Sequence, residues 1–112
     1  MDVNKPVQIQ LPEAAFDKTD LEQYYISKSL KIKQISAGGH HNMILTHTGK
    51  LFTFGYGQHG QLGLRSNKNY STPQLVKDLH NKPVAKIAAG WNHSLALTEK
   101  GDLFACGYGQ YG

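Results

Sequence analysis

Two stretches of this chain are close copies of each other. Residues 35–60, ISAGGHHNMILTHTGKLFTFGYGQHG, align without a gap with residues 87–112, IAAGWNHSLALTEKGDLFACGYGQYG, at an offset of 52. Of the 26 paired positions, 14 are identical. Self-similarity at a fixed period of this size marks an architecture of stacked supersecondary units. Each unit then buries its apolar face against its neighbour. All 12 glycines lie between Gly38 and Gly112, inside the copies or just after the first.

Each copy reads as short strands. NMILT and SLALT are apolar runs ending in Thr; LFTF and LFAC are a second pair. Between them, HTGK and EKGD carry Gly49 and Gly101, the residue type a tight hairpin loop wants. The spacing predicts turns over residues 46–50 and 98–102. Upstream, KIKQISAG and PVAKIAAG each give one more strand closing on glycine. After the first copy, SNKNYSTP reads as a polar loop, and PQLV as a fourth strand with Pro73 at its start, where proline is tolerated. The strands are apolar on both faces more often than alternating, as a sheet between two other sheets requires. The fold class expected is all-β: propeller blades of four antiparallel strands, about one and a half of them, with a short N-terminal helical or irregular segment.

The residues also carry a family likeness. AGGHHNMILTHTGKLFTFGYGQHGQLG resembles the repeat of the regulator-of-chromosome-condensation family: a small-Gly-x-x-His start, an apolar strand, a turn glycine, an aromatic strand ending in glycine, and a Gly-Gln-Leu-Gly ending. The likeness covers residues 30–112 well and extends weakly to Pro6-Val-Gln-Ile, which looks like the Pro73-Gln-Leu-Val element. The structural repeat motif is then Gly38, His41, Gly49, Gly55, Gly60 and Gly63 in the first copy, and Gly90, His93, Gly101, Gly107 and Gly112 in the second. The resemblance implies a seven-bladed propeller serving as a binding platform. At this period such a ring needs on the order of 360 residues. The chain is therefore expected to be a fragment. Residues 1–30 are an N-terminal segment with the end of a preceding blade and an inserted helix, 31–83 a complete repeat, and 84–112 a truncated one.

Other readings of the same motifs compete poorly. Gly55 to Gly60, GYGQHG, has the G-x-G-x-x-G spacing of a dinucleotide loop, but QLGLRSNKNYSTP cannot be the helix that such a loop must open. The motif also returns 52 residues later as GYGQYG. A nucleotide site is wanted once; a blade turn is wanted in every blade. A kinase glycine loop, which lies between two strands, fits GYGQHG better, and Val84-Ala-Lys86 mimics the lysine strand, but the catalytic motifs that must accompany them do not follow. Of the six histidines, His40 and His41 are adjacent and point to opposite faces of a strand. His41 and His93 are repeat-equivalent and read as buried, hydrogen-bonded structural residues. His40, His47 and His59 give way to Asn92, Glu99 and Tyr111, which marks exposed positions. No catalytic, cofactor-binding or metal residues are expected.

The net charge of +4 admits an acidic partner without requiring one, because the 12 Lys and Arg are scattered. The single cysteine, Cys106 in LFAC, excludes an internal disulfide and reads as a buried, inert thiol. A reducing compartment fits, and the expected localisation is cytoplasmic or nuclear. The sequons at Asn69 and Asn92 are then accidental. The N-terminus lacks the pattern of a signal peptide, and no run approaches a membrane span. Within TDLEQYYISKSL, Thr19 and Glu22 form a capping box ahead of Leu21, Tyr24 and Tyr25. An inserted functional helix and a poorly ordered leader remain equal alternatives there.

The resemblance implies a fragment of a protein-interaction scaffold, or alternatively part of a guanine nucleotide exchange factor for a small GTPase. Expected partners are a small GTPase, a chromatin protein or a ubiquitin-pathway protein, together with the remaining blades of the full-length chain. Nucleic acid is not expected as a direct partner. NMILT, SLALT and LFAC carry no charge to protect an open edge. Made alone, residues 1–112 are expected to be marginally stable, aggregation-prone or oligomeric, which sedimentation velocity and thermal unfolding check. A soluble monomer with a cooperative melt would show that the blade does not depend on its neighbours.

Overall fold

The computed structural model describes residues 6–11 and 31–108. Among them, seven strands form two antiparallel sheets. The first sheet runs in the order β1 (Ile32–Ala37), β2 (His41–Thr46), β3 (Leu51–Gly55) and β4 (Tyr70–Leu75). The second runs β5 (Val84–Ala89), β6 (His93–Thr98) and β7 (Leu103–Gly107). This is the all-β propeller-blade architecture that the repeat implied.

The repeat holds at the level of individual pairs. Ile35 sits opposite Ile44 and Ala37 opposite Asn42, as Ile87 sits opposite Ala96 and Ala89 opposite Ser94. Both first pairings slip register at the same place, between Ile32 and Gln34 and between Val84 and Lys86. The hairpin turns fall at residues 46–50 and 98–102. In each, the glycine amide returns to a threonine carbonyl, Gly49 to Thr46 at 3.1 Å and Gly101 to Thr98 at 3.0 Å. The threonine hydroxyl accepts the amide of Lys50 at 3.1 Å in one and of Asp102 at 3.0 Å in the other. The Thr that closes each apolar run is thus part of the turn.

Two details of the fourth strand differ from the sequence reading. The strand begins at Tyr70, within the polar stretch expected to be loop, and Pro73 lies inside it rather than at its start. Proline is tolerated because β4 is the outer edge of its sheet and the pairing with β3 skips between Thr53 and Gly55. The G-x-G-x-x-G segment opens no helix. It winds through successive turns, Gly60 N–H to Gly57 O at 3.0 Å and Gly63 N–H to Gly60 O at 3.2 Å, before the chain reaches β4. Residues 6–11 are exposed or half-buried and form no strand, so the strand expected at Pro6-Val-Gln-Ile is not there. The helix expected around Thr19 and Glu22 lies outside the described residues.

The core lies between the sheets. Met43, Leu45 and Leu51 from the first, joined by Val76 and by Leu79 of the 3-10 turn Lys77–Leu79, meet Val84, Ile87 and Ala96 from the second. Equivalent positions show what this contact does. Ile87 faces the first sheet and is 6% exposed; Ile35, its counterpart on the outward face, is 71% exposed. Leu51 is 4% exposed and Leu103 is 64% exposed. The residue types are the same, so the neighbour decides the burial. Leu51→Ala is therefore expected to cost about 2–5 kcal/mol in urea unfolding, because it opens a cavity. Leu103→Ala should stay within about 0.5 kcal/mol, the usual range for a surface position.

Candidate functional site

The motif residues converge on one end of the strands. His41 opens β2 opposite Gly55, and His93 opens β6 opposite Gly107. Gly55 and Gly107 hold φ of 110° and 125°, a region that L side chains rarely adopt. A Cβ on Gly55 would also lie 2.8 Å from the His40 carbonyl oxygen. The small-Gly-x-x-His start has a packing reason. Each imidazole lies over the glycine three residues before it, so that a Cβ on Gly38 would sit 2.5 Å from His41 Cε1 and one on Gly90 2.6 Å from His93 Cε1. Gly49 and Gly101 sit in the turns at the other end of the strands. Gly60 and Gly63 shape the Gly-Gln-Leu-Gly segment, and Gly112 lies outside the described residues.

That segment proves to be more than its glycines. Gln61 and Leu62 are fully buried. Thr53 Oγ1 donates to the Leu62 carbonyl at 2.7 Å, and Gln61 Oε1 accepts from the His59 amide at 2.9 Å. The Gln61 carbonyl takes the Ser94 hydroxyl proton at 2.6 Å. Because that proton is committed, Ser94 Oγ must accept from His41 Nε2, 2.7 Å away. His41 therefore carries a proton on Nε2, and Nδ1 is left without a hydrogen-bond partner among the described residues, as is Gln61 Nε2. Burial holds the His41 pKa below its ordinary value near 6.5, outweighing the His93 backbone hydrogen bond, which favours the charged form, while the neighbouring His93 imidazole adds to the lowering. Cys106, half-buried beside Gln61, has its thiol pKa pushed up by burial, as suits an inert thiol.

A hydroxyl and an imidazole at 2.7 Å invite comparison with a nucleophile and its base. The chemistry is different here. Both groups are buried, and the serine proton points away from the imidazole. The pair is a joint between sheets. It works beside two others: Gln34 bonds both the amide and the carbonyl of Ile87, at 3.1 and 2.9 Å, and Ser36 Oγ accepts the Ala89 amide at 2.9 Å. Side chains of β1 thereby satisfy the open edge of β5.

His93 departs from expectation. The repeat predicts a buried position equivalent to that of His41, and the structure exposes it. The physical reason is the joint itself: His41 is buried against Ser94 across the sheet boundary, with Gln61 of its own sheet's β3–β4 loop bonded to that serine, and among the described residues no third sheet covers His93. Among the described residues no group of three or more His, Cys, Asp or Glu side chains could hold a metal ion, and no helix is long and apolar enough to cross a membrane.

Above the joint lies a rim that the sequence reading passed over. Trp91, His40, Tyr56, His59 and Tyr108 form an unbroken series of ring contacts, with centroids 5.3, 6.0, 5.8 and 5.1 Å apart in turn. The signal was available: Trp91 stands where the first copy has Gly39, against which its ring packs.

Stacked sheets of this register, joined through a buried histidine, define the chain as a β-propeller repeat protein. It belongs to the regulator of chromosome condensation family: one model of the Regulator of chromosome condensation (RCC1) repeat matches residues 48–97, and a second matches 32–61 and 84–112. The chain is 37% identical over 99 residues to the ultraviolet-B receptor UVR8 of Arabidopsis thaliana, covering 83% of this chain and 22% of that protein. To the human E3 ubiquitin-protein ligase HERC2 it is 39% identical over 94 residues, covering 84% of this chain and 2% of the ligase. It superposes on Prp20p of Saccharomyces cerevisiae, a structure described with its binding properties to Gsp1p and histones. The TM-score is 0.60 and the identity 31%, over 76% of this chain and 22% of that one. The chain thus spans about a fifth of the length of UVR8 and Prp20p, and far less of HERC2.

The joint makes a pH-dependent prediction. Because the folded-state pKa of His41 is depressed, its contribution is complete above the unfolded value near 6.5 and is lost as pH falls through the folded value. The urea midpoint should drop between about pH 7 and pH 5, and His41→Gln should flatten that slope. Ser94→Ala, which strands two buried groups, should cost about 1–3 kcal/mol at neutral pH.

Proposed function

We propose that this chain is part of a protein-interaction propeller, with residues 31–83 as one complete repeat, 84–112 as a second, truncated one, and 1–30 as a segment preceding them. It acts as a non-enzymatic scaffold in the cytoplasm or nucleus. The observation that carries this reading is the division of labour along the strands. The buried His41 and Ser94 are occupied in joining the sheets, and the buried threonines in closing turns and holding the Gly-Gln-Leu-Gly segment. The loops at one end carry exposed rings with, among the described residues, no paired carboxylates and no accessible nucleophile–base pair. The likeness to HERC2 supports it, since the matched segment is a small part of that ligase. A second reading, part of an exchange factor for a small GTPase, draws on the likeness to Prp20p and the Gsp1p binding named with it.

The two readings separate in one experiment. Immobilised residues 1–112 are presented with purified histones, with ubiquitin, and with a Gsp1p-type GTPase loaded with fluorescent GDP. The expected outcome is saturable binding of at least one of these with no acceleration of GDP release. Faster GDP release would establish the exchange-factor reading instead, and binding of none would overturn the scaffold.

A further inference from the structure

The series of rings crosses the sheet boundary twice. Trp91 of the second sheet's loop touches His40 of the first, and His59 of the first touches Tyr108 after β7. Trp91 is 66% exposed, Tyr108 48%, and both histidines are exposed. The indole lies against Gly39, where a Cβ would come within 2.7 Å of Trp91 Cδ2, so the backbone fixes its pose. Exposed, pre-positioned Trp and Tyr are the residue types that anchor protein interfaces.

Charge is divided between the two ends of the strands. Among the described residues the acidic side chains are Asp78 on the 3-10 turn and Glu99 and Asp102 at the β6–β7 turn, all at the end opposite the rings. Among the described residues the ring end has no acidic side chain. Lys68 lies in a loop tied to this end by the bond from the Gly57 amide to Asn69 Oδ1 at 2.9 Å. Indole and imidazole N–H groups add donors, and the whole chain carries +4.

We propose that this strip of rings docks an acidic peptide segment of a partner protein, its apolar side chains lying on Trp91 and Tyr108 and its carboxylates facing Lys68 and the ring N–H donors. The proposal rests on the reading of the chain as an interaction platform and adds the surface and the partner's chemistry. A basic segment would find rings for its cations but, among the described residues, no carboxylate at this end to pair with. Single-stranded nucleic acid would find stacking surfaces but, among the described residues, Lys68 alone at this end along its backbone path.

The test uses fluorescence anisotropy with the whole 112-residue chain and three labelled probes: the peptide Glu-Glu-Leu-Phe-Glu-Glu, its counterpart with Lys for Glu, and an oligothymidylate of ~10 nucleotides. Saturable binding of the acidic peptide alone is expected. Trp91→Ala should weaken it about tenfold or more, and Lys100→Ala, at the other end of the strands, should leave it unchanged. Trp91 is exposed, so its loss should not unfold the chain, which circular dichroism of the variant checks. No binding of the acidic peptide up to about 1 mM, equal or tighter binding of either other probe, or unaltered binding by Trp91→Ala would overturn the proposal. If the acidic peptide fails while histone, ubiquitin or GTPase binding persists, the surface assignment falls and the scaffold reading stands; if every ligand fails, both fall.

Discussion

Met43, Leu45 and Leu51 leave water only because Val84, Ile87 and Ala96 are brought against them. A sheet of this kind has apolar residues on both faces, so it cannot complete its core alone, and hydrophobic burial acts between sheets as much as within one. The contact sets which copy of each repeated residue is buried and fixes the spacing at which β1 can reach the edge of β5. It also brings Ser94 and Gln61 to His41. The exposed Ile35 and Leu103 show the same chemistry where that contact is missing.

Apolar contact is non-directional, and the polar joint supplies the register that it lacks. Gln34, Ser36 and His41 each meet a specific backbone or hydroxyl group of the second sheet. A slip of one residue would leave those buried groups unpaired, at a cost comparable to a large part of a small domain's stability. The copies differ at two of these positions. Lys86 stands in place of Gln34 and Ala88 in place of Ser36. The edge-satisfying bonds from β1 to β5 therefore belong to this pair of sheets, whereas the histidine is common to both copies.

The strand order, the turns at Gly49 and Gly101, and the shared register could be read from the sequence because they are local: they depend on residues that lie within one copy. Burial could not be transferred in the same way. Equating His93 with His41 assumes that equal covalent surroundings give equal environments, but His41 is buried against Ser94, 53 positions away across the sheet boundary, which in turn is tied to Gln61 in the loop between β3 and β4. Pro73 escapes a sequence reading for a related reason. Its tolerance depends on β4 being an edge with a break in pairing, which is a property of the sheet. The rim is hard to see because three of its five rings have no counterpart of the same type in the other copy: Trp91 stands against Gly39, His40 against Asn92 and His59 against Tyr111, while Tyr56 and Tyr108 alone are shared.

That difference has its origin in the architecture. Positions inside the joint are held by several partners at once, so a change at Gly38, His41 or Gly55 disturbs packing and hydrogen bonding together. The rim loops begin one or two residues beyond those positions, where a side chain projects past the last backbone pair and owes nothing to the core. The Gly39 and Trp91 pair makes the separation concrete. The second copy can replace a glycine with the largest side chain, and the β5–β6 pairing on either side keeps the register of β1–β2. A fold that fixes its strands so closely while leaving the adjoining loop residues free to vary can present a different chemical surface from each blade. The contact between sheets then holds those surfaces side by side, so that Trp91 from one blade and His40 from the other come together as one patch.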